Sequence, residues 1–241
     1  MSTAEEFREE ILQLVGKIIW EKPHALTEFY DKHLSHEGAK VFALEHCVFA
    51  DHFPRWFGHM VGNCPHLDVR QYMIENMYVE EVSDPTVDRG HYETMVDFAV
   101  ALGFDREHVH NWRGEIYTRM AVAYWDWASR TKPWLEAFAA VGGLEIPKNR
   151  VITERYGVTR FSDRRRFEAL NLPPEALAHW GSADKADLPE GGHADETVNI
   201  LVRYATTEES QRAVLASLQD SMEIHRFRFD LIGKDAIAAA K

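Results

Sequence analysis

NMYVEEVSDPTVDRGHYE, residues 76–93, is the stretch from which the fold and the site are predicted. It carries two adjacent carboxylates, Glu80 and Glu81, then the helix-breaking tripeptide SDP, and then His91. Apolar residues flank it on both sides, so one helix ends in the stretch and another begins in it. Charge in an apolar setting is costly unless it is paired or bound to a metal. Two interpretations follow: Glu80 is solvated, Glu81 caps a helix and His91 starts the next one, or these groups belong to a buried polar site.

The rest of the chain is dominated by helical periodicity, and strand signals are nearly absent. Thr3 and Glu6 predict a capping box at the start of the first helix. Helical patterns are predicted over Glu6–Trp20, Gly38–Val61, Asp68–Val82, Gly90–Leu102, Tyr117–Ser129, Pro133–Val141, Ile146–Tyr156, Thr197–Tyr204 and Glu208–Ile232. The tail DAIAAAK, residues 235–241, is predicted to be frayed. With no linker and no internal repeat, we predict an all-α fold of about eight helices in one domain spanning residues 1–241.

Composition narrows the class of function. The net charge of −12 argues against nucleic acid or an anionic membrane as the main partner. No apolar run approaches the ~18–20 residues of a membrane span, and the polar start MSTAEEFREE does not resemble a signal peptide. Cys47 and Cys64 form neither a metal pattern nor a disulfide framework. A cytoplasmic protein that handles a small molecule is therefore expected.

Carboxylates and imidazoles lie on helices that are otherwise apolar. Glu45, His52 and His59 are spaced by seven, which places them on one helix face and predicts an internal polar cavity. The alternative is that His46 and His59 lie on the surface and Asp51 is solvated. The other members of this polar set are Glu81, His91, Glu145, His179, Asp184, Asp187, Glu190 and His193. Such side chains on facing helices hold paired iron or manganese in helical bundles, although the matched Glu-x-x-His pairs of ferritin-like proteins are missing.

Other chemistries have weaker support. The chain has no G-x-S-x-G, P-loop or G-x-G-x-x-G motif. A thiol nucleophile at Cys47, next to His46, stays open, although a buried cysteine is ordinarily inert. Acid–base catalysis by paired carboxylates without a metal also stays open, because burial raises the pKa of a carboxyl group.

Several short motifs in the first half of the chain resemble the haem-oxygenase-like superfamily. They are Phe53-Pro54, Asn63-Cys-Pro, Asn76-x-x-x-Glu80-Glu81 with a following His, and Ala101-Leu-Gly-Phe104. This superfamily includes pyrroloquinoline-quinone synthase, thiaminase-II-like proteins and the haem-oxygenase-like diiron oxidases. The resemblance is best from Phe53 to Val109 and looser over Pro133–Glu145 and His179–Tyr204. It implies the haem-oxygenase-like helical fold, in which function varies widely.

Within this superfamily the diiron oxidases match the polar residues best. The resemblance implies iron ligands at Glu45, Glu81, His91, Glu145 and Asp187, with His179 or His193 completing the set. The last part of the family pattern is His-x-x-x-Asp-x-x-His, and no such string exists here. Two registers stay open, His179 with Asp184 and Asp187, or Asp187 with Glu190 and His193. The departure leaves the second metal in doubt.

The resemblance implies a non-haem diiron oxidase or oxygenase with two Fe(II) ions per chain. Such an enzyme activates dioxygen and oxidises a small metabolite, for example an amino acid, with His52 orienting ligands or substrate. Phe49, Phe53, Trp56, Tyr72, Tyr92 and Phe227 are the predicted aromatic wall of its cavity. A homodimer is expected by resemblance only. The alternatives are a cofactor-free oxidase similar to the quinone synthase, and a small-molecule-binding protein on the same fold.

Overall fold

The computed structural model describes residues 1–84, 87–159, 163–180 and 192–241, and these residues are almost entirely helical or in short connections. Within those ranges there is no β-strand. One isolated antiparallel β-bridge joins Asp84 and Arg89. The all-α prediction is therefore confirmed. None of the described helices is long and apolar enough to cross a membrane.

The α-helices are, in chain order, α1 Ala4–Trp20, α2 Ala25–Glu28, α3 His36–Asn63, α4 Leu67–Glu81, α5 His91–Ala101, α6 Arg106–Asn111, α7 Ile116–Thr131, α8 Trp134–Val141, α9 Arg150–Tyr156, α10 Arg165–Glu168, α11 His193–Tyr204 and α12 Glu208–Ala239. A π-helical turn, Phe29–His33, continues α2, and the 3-10 segments Gly142–Lys148 and Pro174–Leu177 precede α9 and follow α10.

The predicted total of about eight helices is too low, because short helices subdivide the chain. The predicted helix Ile146–Tyr156 is in fact the end of a 3-10 segment followed by α9. Asn149 separates the two, and its side chain accepts a hydrogen bond from the backbone N–H of Val151 and so caps α9. Gly157 ends α9 in the left-handed conformation, with a φ of 60°.

One local prediction is confirmed and one is wrong. Thr3 and Glu6 form the expected capping box at the start of α1. Pro54 lies inside α3 and does not end the helix. The predicted fraying of the tail is wrong, since α12 continues to Ala239. The hydroxyl of Tyr117 on α7 donates to Asp235 at 2.8 Å, which ties the tail to the body.

The long helices α3 and α12 form the centre of the bundle, and two apolar clusters surround them. One cluster includes the fully buried rings of Trp56, Trp125 and Phe138, and the other includes Phe98 and Phe167. Fully burying an apolar side chain of this size contributes about 1.5–3 kcal/mol. The clusters therefore fix α3 and α12 as the rigid walls between which a polar cavity is held.

Candidate functional site

A cavity of about 110 Å³ lies between α3, α4, α5, α12 and the 3-10 segment Gly142–Lys148. Part of its lining is ionisable and part is aromatic. The ionisable residues are His46, Glu80, His91, Glu145, Lys148, His179, His193, His225 and Arg228. The aromatic residues are Phe42, Phe49, Phe53, Trp180 and Phe229. The cavity joins polar side chains from distant parts of the sequence, but Glu45, His52 and His59, the residues from which an internal polar cavity was predicted, do not line it.

His91 is held between two carboxylates at the start of α5. Its Nδ1 is 3.0 Å from a Glu80 oxygen, and its Nε2 is 2.7 Å from an Asp84 oxygen. Gly90 makes this approach possible, because a Cβ there would lie 2.7 Å from the Glu80 carbonyl oxygen. The loop between α4 and α5 can thus pack directly on the end of α4. The sequence stretch that ends one helix and begins the next therefore builds one wall of the cavity.

The charges around His91 set its protonation state. Burial by itself would lower its pKa, but the Glu80 charge and the hydrogen bonds to Glu80 and Asp84 outweigh it and raise the pKa to about 9. At neutral pH His91 is an imidazolium that donates to both carboxylates. The three side chains form a closed ion-paired group.

Glu145 lies in the 3-10 segment that follows α8. The preceding glycines let this segment approach α12 closely, since a Cβ on Gly143 would lie 2.6 Å from Leu218 Cδ2. Lys148 Nζ donates to a Glu145 oxygen at 3.0 Å. Burial would raise the pKa of Glu145, but Lys148 and His193 outweigh it and hold the pKa below its ordinary value. Glu145 is therefore a buried, ionised carboxylate with a lysine partner.

His179 reaches the same cavity from the segment after α10. Its Nδ1 is 3.2 Å from both the Thr94 hydroxyl and the His91 carbonyl oxygen. Burial, together with the charge of His91, lowers the pKa of His179 to about 3, so this imidazole is neutral. With one nitrogen fixed by these partners, the ring is held in a defined orientation at the cavity wall.

His193 is the first residue of α11 and also lines the cavity. Reading the family pattern His-x-x-x-Asp-x-x-His from His193 places Thr197 and Ile200 at the two later ligand positions. The Thr197 hydroxyl is 3.1 Å from the Tyr72 hydroxyl, and Ile200 has no donor atom. This helix therefore brings one metal-binding side chain to the cavity. In both predicted registers Asp187 is a ligand, and it lies outside the described residues, as do Asp184 and Glu190.

Of the two adjacent glutamates, Glu80 lines the cavity and Glu81 does not. Glu81 is exposed at the last position of α4, whereas the Glu80 side chain is 16% exposed. The expected ligand role of Glu81 therefore has no geometric support. The neighbouring Glu80 is the carboxylate of this pair that lines the cavity.

Glu45 and His52 lie away from this cavity. The buried Glu45 carboxylate accepts hydrogen bonds from Trp112 Nε1 at 2.9 Å and from the backbone N–H of Glu115 at 3.1 Å. His52 lines a separate open cleft, and its ring bonds the Val48 carbonyl oxygen at 2.8 Å. Their predicted roles as an iron ligand and an orienting residue are thus not supported by their positions.

The aromatic wall differs in part from the prediction. Phe49 and Phe53 line the cavity as expected. Phe227 is 53% exposed, and Phe229, two residues later on α12, lines the cavity instead. Trp56 is part of the core, Tyr92 borders the open cleft, and Tyr72 bonds the His193 carbonyl oxygen at 3.1 Å.

Five ionisable lining residues were not predicted as site residues, namely Glu80, His46, Lys148, His225 and Arg228. The last two share a face of α12 with the buried residues Ser221, Met222 and Ile232. An arginine at a core-facing position of a helix is rare, so Arg228 is the residue that would have indicated this part of the cavity lining.

The donor chemistry of the cavity is of the kind that binds non-haem iron. Carboxylates and imidazoles are the usual ligands of non-haem iron, and Glu80, Glu145, His91, His179 and His193 all line the cavity. As these side chains stand, no three His, Cys, Asp or Glu of the described residues are arranged to hold a metal ion. Glu80 is paired with His91 and Glu145 with Lys148. Two irons would need further bridging carboxylates, and the described part of the chain brings only these two glutamates to the cavity.

Comparison with known proteins identifies the family. A model of the family of iron-containing redox enzymes matches residues 40–225, which is more than half of the 241 residues. The chain therefore belongs to this family. No match is found among proteins of curated function.

Solved structures agree on the fold. A haem-oxygenase-like domain of unknown function from Shewanella denitrificans has a TM-score of 0.71 at 16% identity, covering 98% of this chain and 94% of that one. A TenA homologue from Pseudomonas syringae has a TM-score of 0.70 at 13% identity, covering 96% and 93%. A CADD-like protein of unknown function from Nostoc punctiforme has a TM-score of 0.70 at 13% identity, covering 97% and 98%. The predicted haem-oxygenase-like fold is confirmed.

Proposed function

We propose that this member of the iron-containing redox enzyme family oxidises a small metabolite with dioxygen inside the 110 Å³ cavity. The observation that carries the proposal is the convergence of Glu80, His91, Glu145, His179 and His193 on one cavity. These residues come from α4, α5, the 3-10 segment, the segment after α10, and α11. Polar side chains from five separate elements are costly to collect in a core, and a bound cation and substrate account for them.

Glu80, His91, Glu145 and His193 would hold one iron ion, with His179 beside them. Iron would supply the redox chemistry and the activation of dioxygen that side chains alone do not provide. Asp84 does not line the cavity and bonds Nε2 of His91. It therefore fixes the ring so that the Nδ1 side, which now bonds Glu80, faces the cavity. A carboxylate behind a ligating imidazole is the usual means of orienting it.

The remaining lining residues would prepare the cavity for an apolar reactant. Phe49 and Phe53 pack with ring centroids 5.7 Å apart, and Trp180 stacks on Phe167 at 4.1 Å. These rings exclude water from the reacting group. Lys148 keeps Glu145 ionised in this apolar setting.

A matched pair of variants on α4 tests the proposal. Removing a group that only orients a ligand weakens metal binding by about 10–100-fold. Because Glu80 is proposed to be a ligand itself, Glu80→Gln should weaken Fe(II) binding by at least ~100-fold. Glu81→Gln changes the same chemical group on the exposed neighbour and should leave Fe(II) binding unchanged. The measurement is anaerobic Fe(II) titration with a competing chelating dye, with helicity checked by circular dichroism. Equal affinities in the two variants would remove Glu80 from the iron site.

A second candidate is a cofactor-free oxidase, similar to pyrroloquinoline-quinone synthase. It is favoured by the pairing of Glu80 with His91 and of Glu145 with Lys148, which balances charge within the chain. In this case His91 and its two carboxylates would move protons on a bound electron-rich ring. Substrate oxidation that is unchanged by a strong chelator would support this candidate, and complete loss with recovery on adding Fe(II) would reject it.

A further inference from the structure

Arg228 on α12 is a buried cation that makes no direct ion pair in the described part of the chain. Arg228 is 1% exposed, and it lines the cavity. Among the described residues, no carboxylate oxygen lies within 4.0 Å of its guanidinium nitrogens. The Glu45 carboxylate attracts the guanidinium only from beyond this distance, and the cavity glutamates Glu80 and Glu145 are paired with His91 and Lys148. A buried charge without a contacting partner is costly, so Arg228 is expected to meet an anion that is not part of the chain.

The Arg228 guanidinium is held in place by hydrogen bonds that use only some of its N–H donors. Its Nε donates to the Thr118 hydroxyl at 3.2 Å, and its Nη2 donates to the Glu45 carbonyl oxygen at 2.7 Å. The group also lies over the Phe49 ring at 5.2 Å from the centroid. A guanidinium has five N–H donors, and in the described part of the chain these two bonds use two of them. The remaining donors are held in a defined orientation at the cavity wall.

His225, three residues earlier on the same helix, supports this interpretation independently. It lines the cavity, and its Nδ1 is buried with no hydrogen-bond partner among the described residues. Burial and the nearby Arg228 charge lower the pKa of His225 well below 6.5, so the ring is neutral. Its ring packs on Phe229 with centroids 4.0 Å apart, which holds it in place. A buried polar atom without a partner needs an explanation.

We propose that Arg228 and His225 bind the carboxylate of a small monoanionic substrate, whose apolar part lies against Phe49, Phe53 and Phe229. The planar guanidinium matches a carboxylate in a bidentate arrangement. One positive charge and one neutral imidazole suit a single negative charge better than a phosphate dianion. The proposal rests on the proposed function, because the bound acid is its substrate. The substrate carboxylate would then bind to α12, on a different side of the cavity from the proposed iron site at Glu80, His91 and Glu145.

The cavity volume limits the acid. An apolar cavity of about 150 Å³ holds one benzene molecule, so the 110 Å³ here suits an acid smaller than benzoate. Propanoate and butanoate are therefore the probes. Their neutral amides, propanamide and butanamide, are nearly isosteric and lack the charge.

The experiment is isothermal titration of the full-length, iron-free protein with each acid and its amide. At least one acid should bind ~10-fold or more tightly than its amide. Arg228→Gln should weaken acid binding by roughly 30-fold or more, the loss expected when one partner of a buried charge pair is removed, and should change amide binding little. Arg212→Gln is the matched control, because Arg212 lies on the same helix and pairs with the exposed Glu208. It should leave acid binding unchanged.

Three outcomes would overturn the proposal: equal binding of acid and amide, binding of neither acid, or an Arg228→Gln protein that binds the acids as tightly as the wild type. If Arg228→Gln does not fold, the acid-to-amide comparison in the wild type decides. Because the protein is iron-free, failure here is distinct from failure of the proposed function. Acid binding without iron uptake would keep this inference and reject iron-dependent oxidation.

Discussion

A single methyl group at Gly233 should destabilise the bundle, because α12 crosses α2 at this glycine. A Cβ there would lie 2.0 Å from the Leu26 nitrogen and 2.1 Å from the Ala25 carbonyl carbon. Carbon atoms in contact are normally about 3.5–4.0 Å apart. Gly233→Ala would therefore force the two backbones apart by more than about 1 Å.

The size of the effect follows from two opposing contributions. Overpacking costs about 1–3 kcal/mol, and contacts this short with backbone atoms place Gly233→Ala at the upper end. The higher helix propensity of Ala stabilises the folded state by about 1 kcal/mol and offsets part of this cost. The net loss is about 2 kcal/mol, which corresponds to a fall in Tm of about 4–8 °C for a chain of this size.

Gly62→Ala provides the matched control. Gly62 is also a helical glycine, in α3, and a Cβ there meets nothing within 4 Å. This variant should gain about 0.5–1 kcal/mol from the lower backbone entropy of its unfolded chain. Differential scanning calorimetry of the two variants measures the difference. Equal Tm values would contradict the described crossing of α12 over α2, and with it the placement of His225 and Arg228 on α12.

The remaining predictions concern the polar side chains around the cavity. Glu45→Gln should lower the free energy of unfolding by about 1–3 kcal/mol, since it removes a buried charge that attracts Arg228 and puts an amide NH2 where a carboxylate oxygen accepts from the Glu115 N–H. Fe(II) titration should be unchanged, and a parallel loss of iron would return Glu45 to the ligand set. Asp84→Asn should weaken Fe(II) binding by about 10–100-fold, because it disturbs the orientation of His91; unchanged binding in the same titration would reject this role. Burial lowers the pKa of His24 from 6.5 to about 3, so the unfolded chain binds one more proton than the folded chain between these pH values. The free energy of unfolding should therefore decrease as the pH is lowered from 6.5 to 3, by up to about 1.4 kcal/mol per pH unit. His24→Asn keeps a helix-capping side chain and should reduce the dependence of urea-unfolding free energy on pH between 6.5 and 3, while an unaltered slope would assign the acid sensitivity to other groups.

Periodicity was sufficient to predict the fold class and most long helices, because each of these buries one apolar stripe. It failed where helices are very short or change type, as at the 3-10 segment before Asn149. The tail DAIAAAK, residues 235–241, was predicted to be frayed, yet α12 continues to Ala239. It is stabilised by a contact that sequence does not display, the Tyr117 hydroxyl donating to Asp235.

The sequence does not show that Glu80, and not Glu81, lines the cavity, and this has a specific physical origin. Apolar residues are spread around α4, so the sequence does not reveal which face is buried. The structure buries Val69, Met73 and Asn76, and Glu80 continues this spacing of three to four residues. Glu81 is rotated by about 100° from that face. One buried polar residue, Asn76, was the available signal for the correct phase.

Glu45 demonstrates a second limit of sequence reasoning. A carboxylate on an apolar helix was read as a metal ligand, yet its charge is accommodated by N–H donors of Trp112 and Glu115, about 70 residues away. Only the tertiary structure brings those donors to α3. Arg228 was not predicted as a site residue, because it lies in the largely polar segment HRFRFD and the sequence gives no sign that it is buried. Its burial results from the packing of α12.

Anaerobic Fe(II) titration of the iron-free protein, followed by mixing with dioxygen, tests the central claim most directly. Binding should saturate near one iron per chain, and dioxygen consumption should depend on that iron. Two irons per chain would contradict the single-ion site built from Glu80, His91, Glu145 and His193. No iron uptake would contradict iron-dependent oxidation and favour proton transfer by His91 and its carboxylates in a cofactor-free reaction.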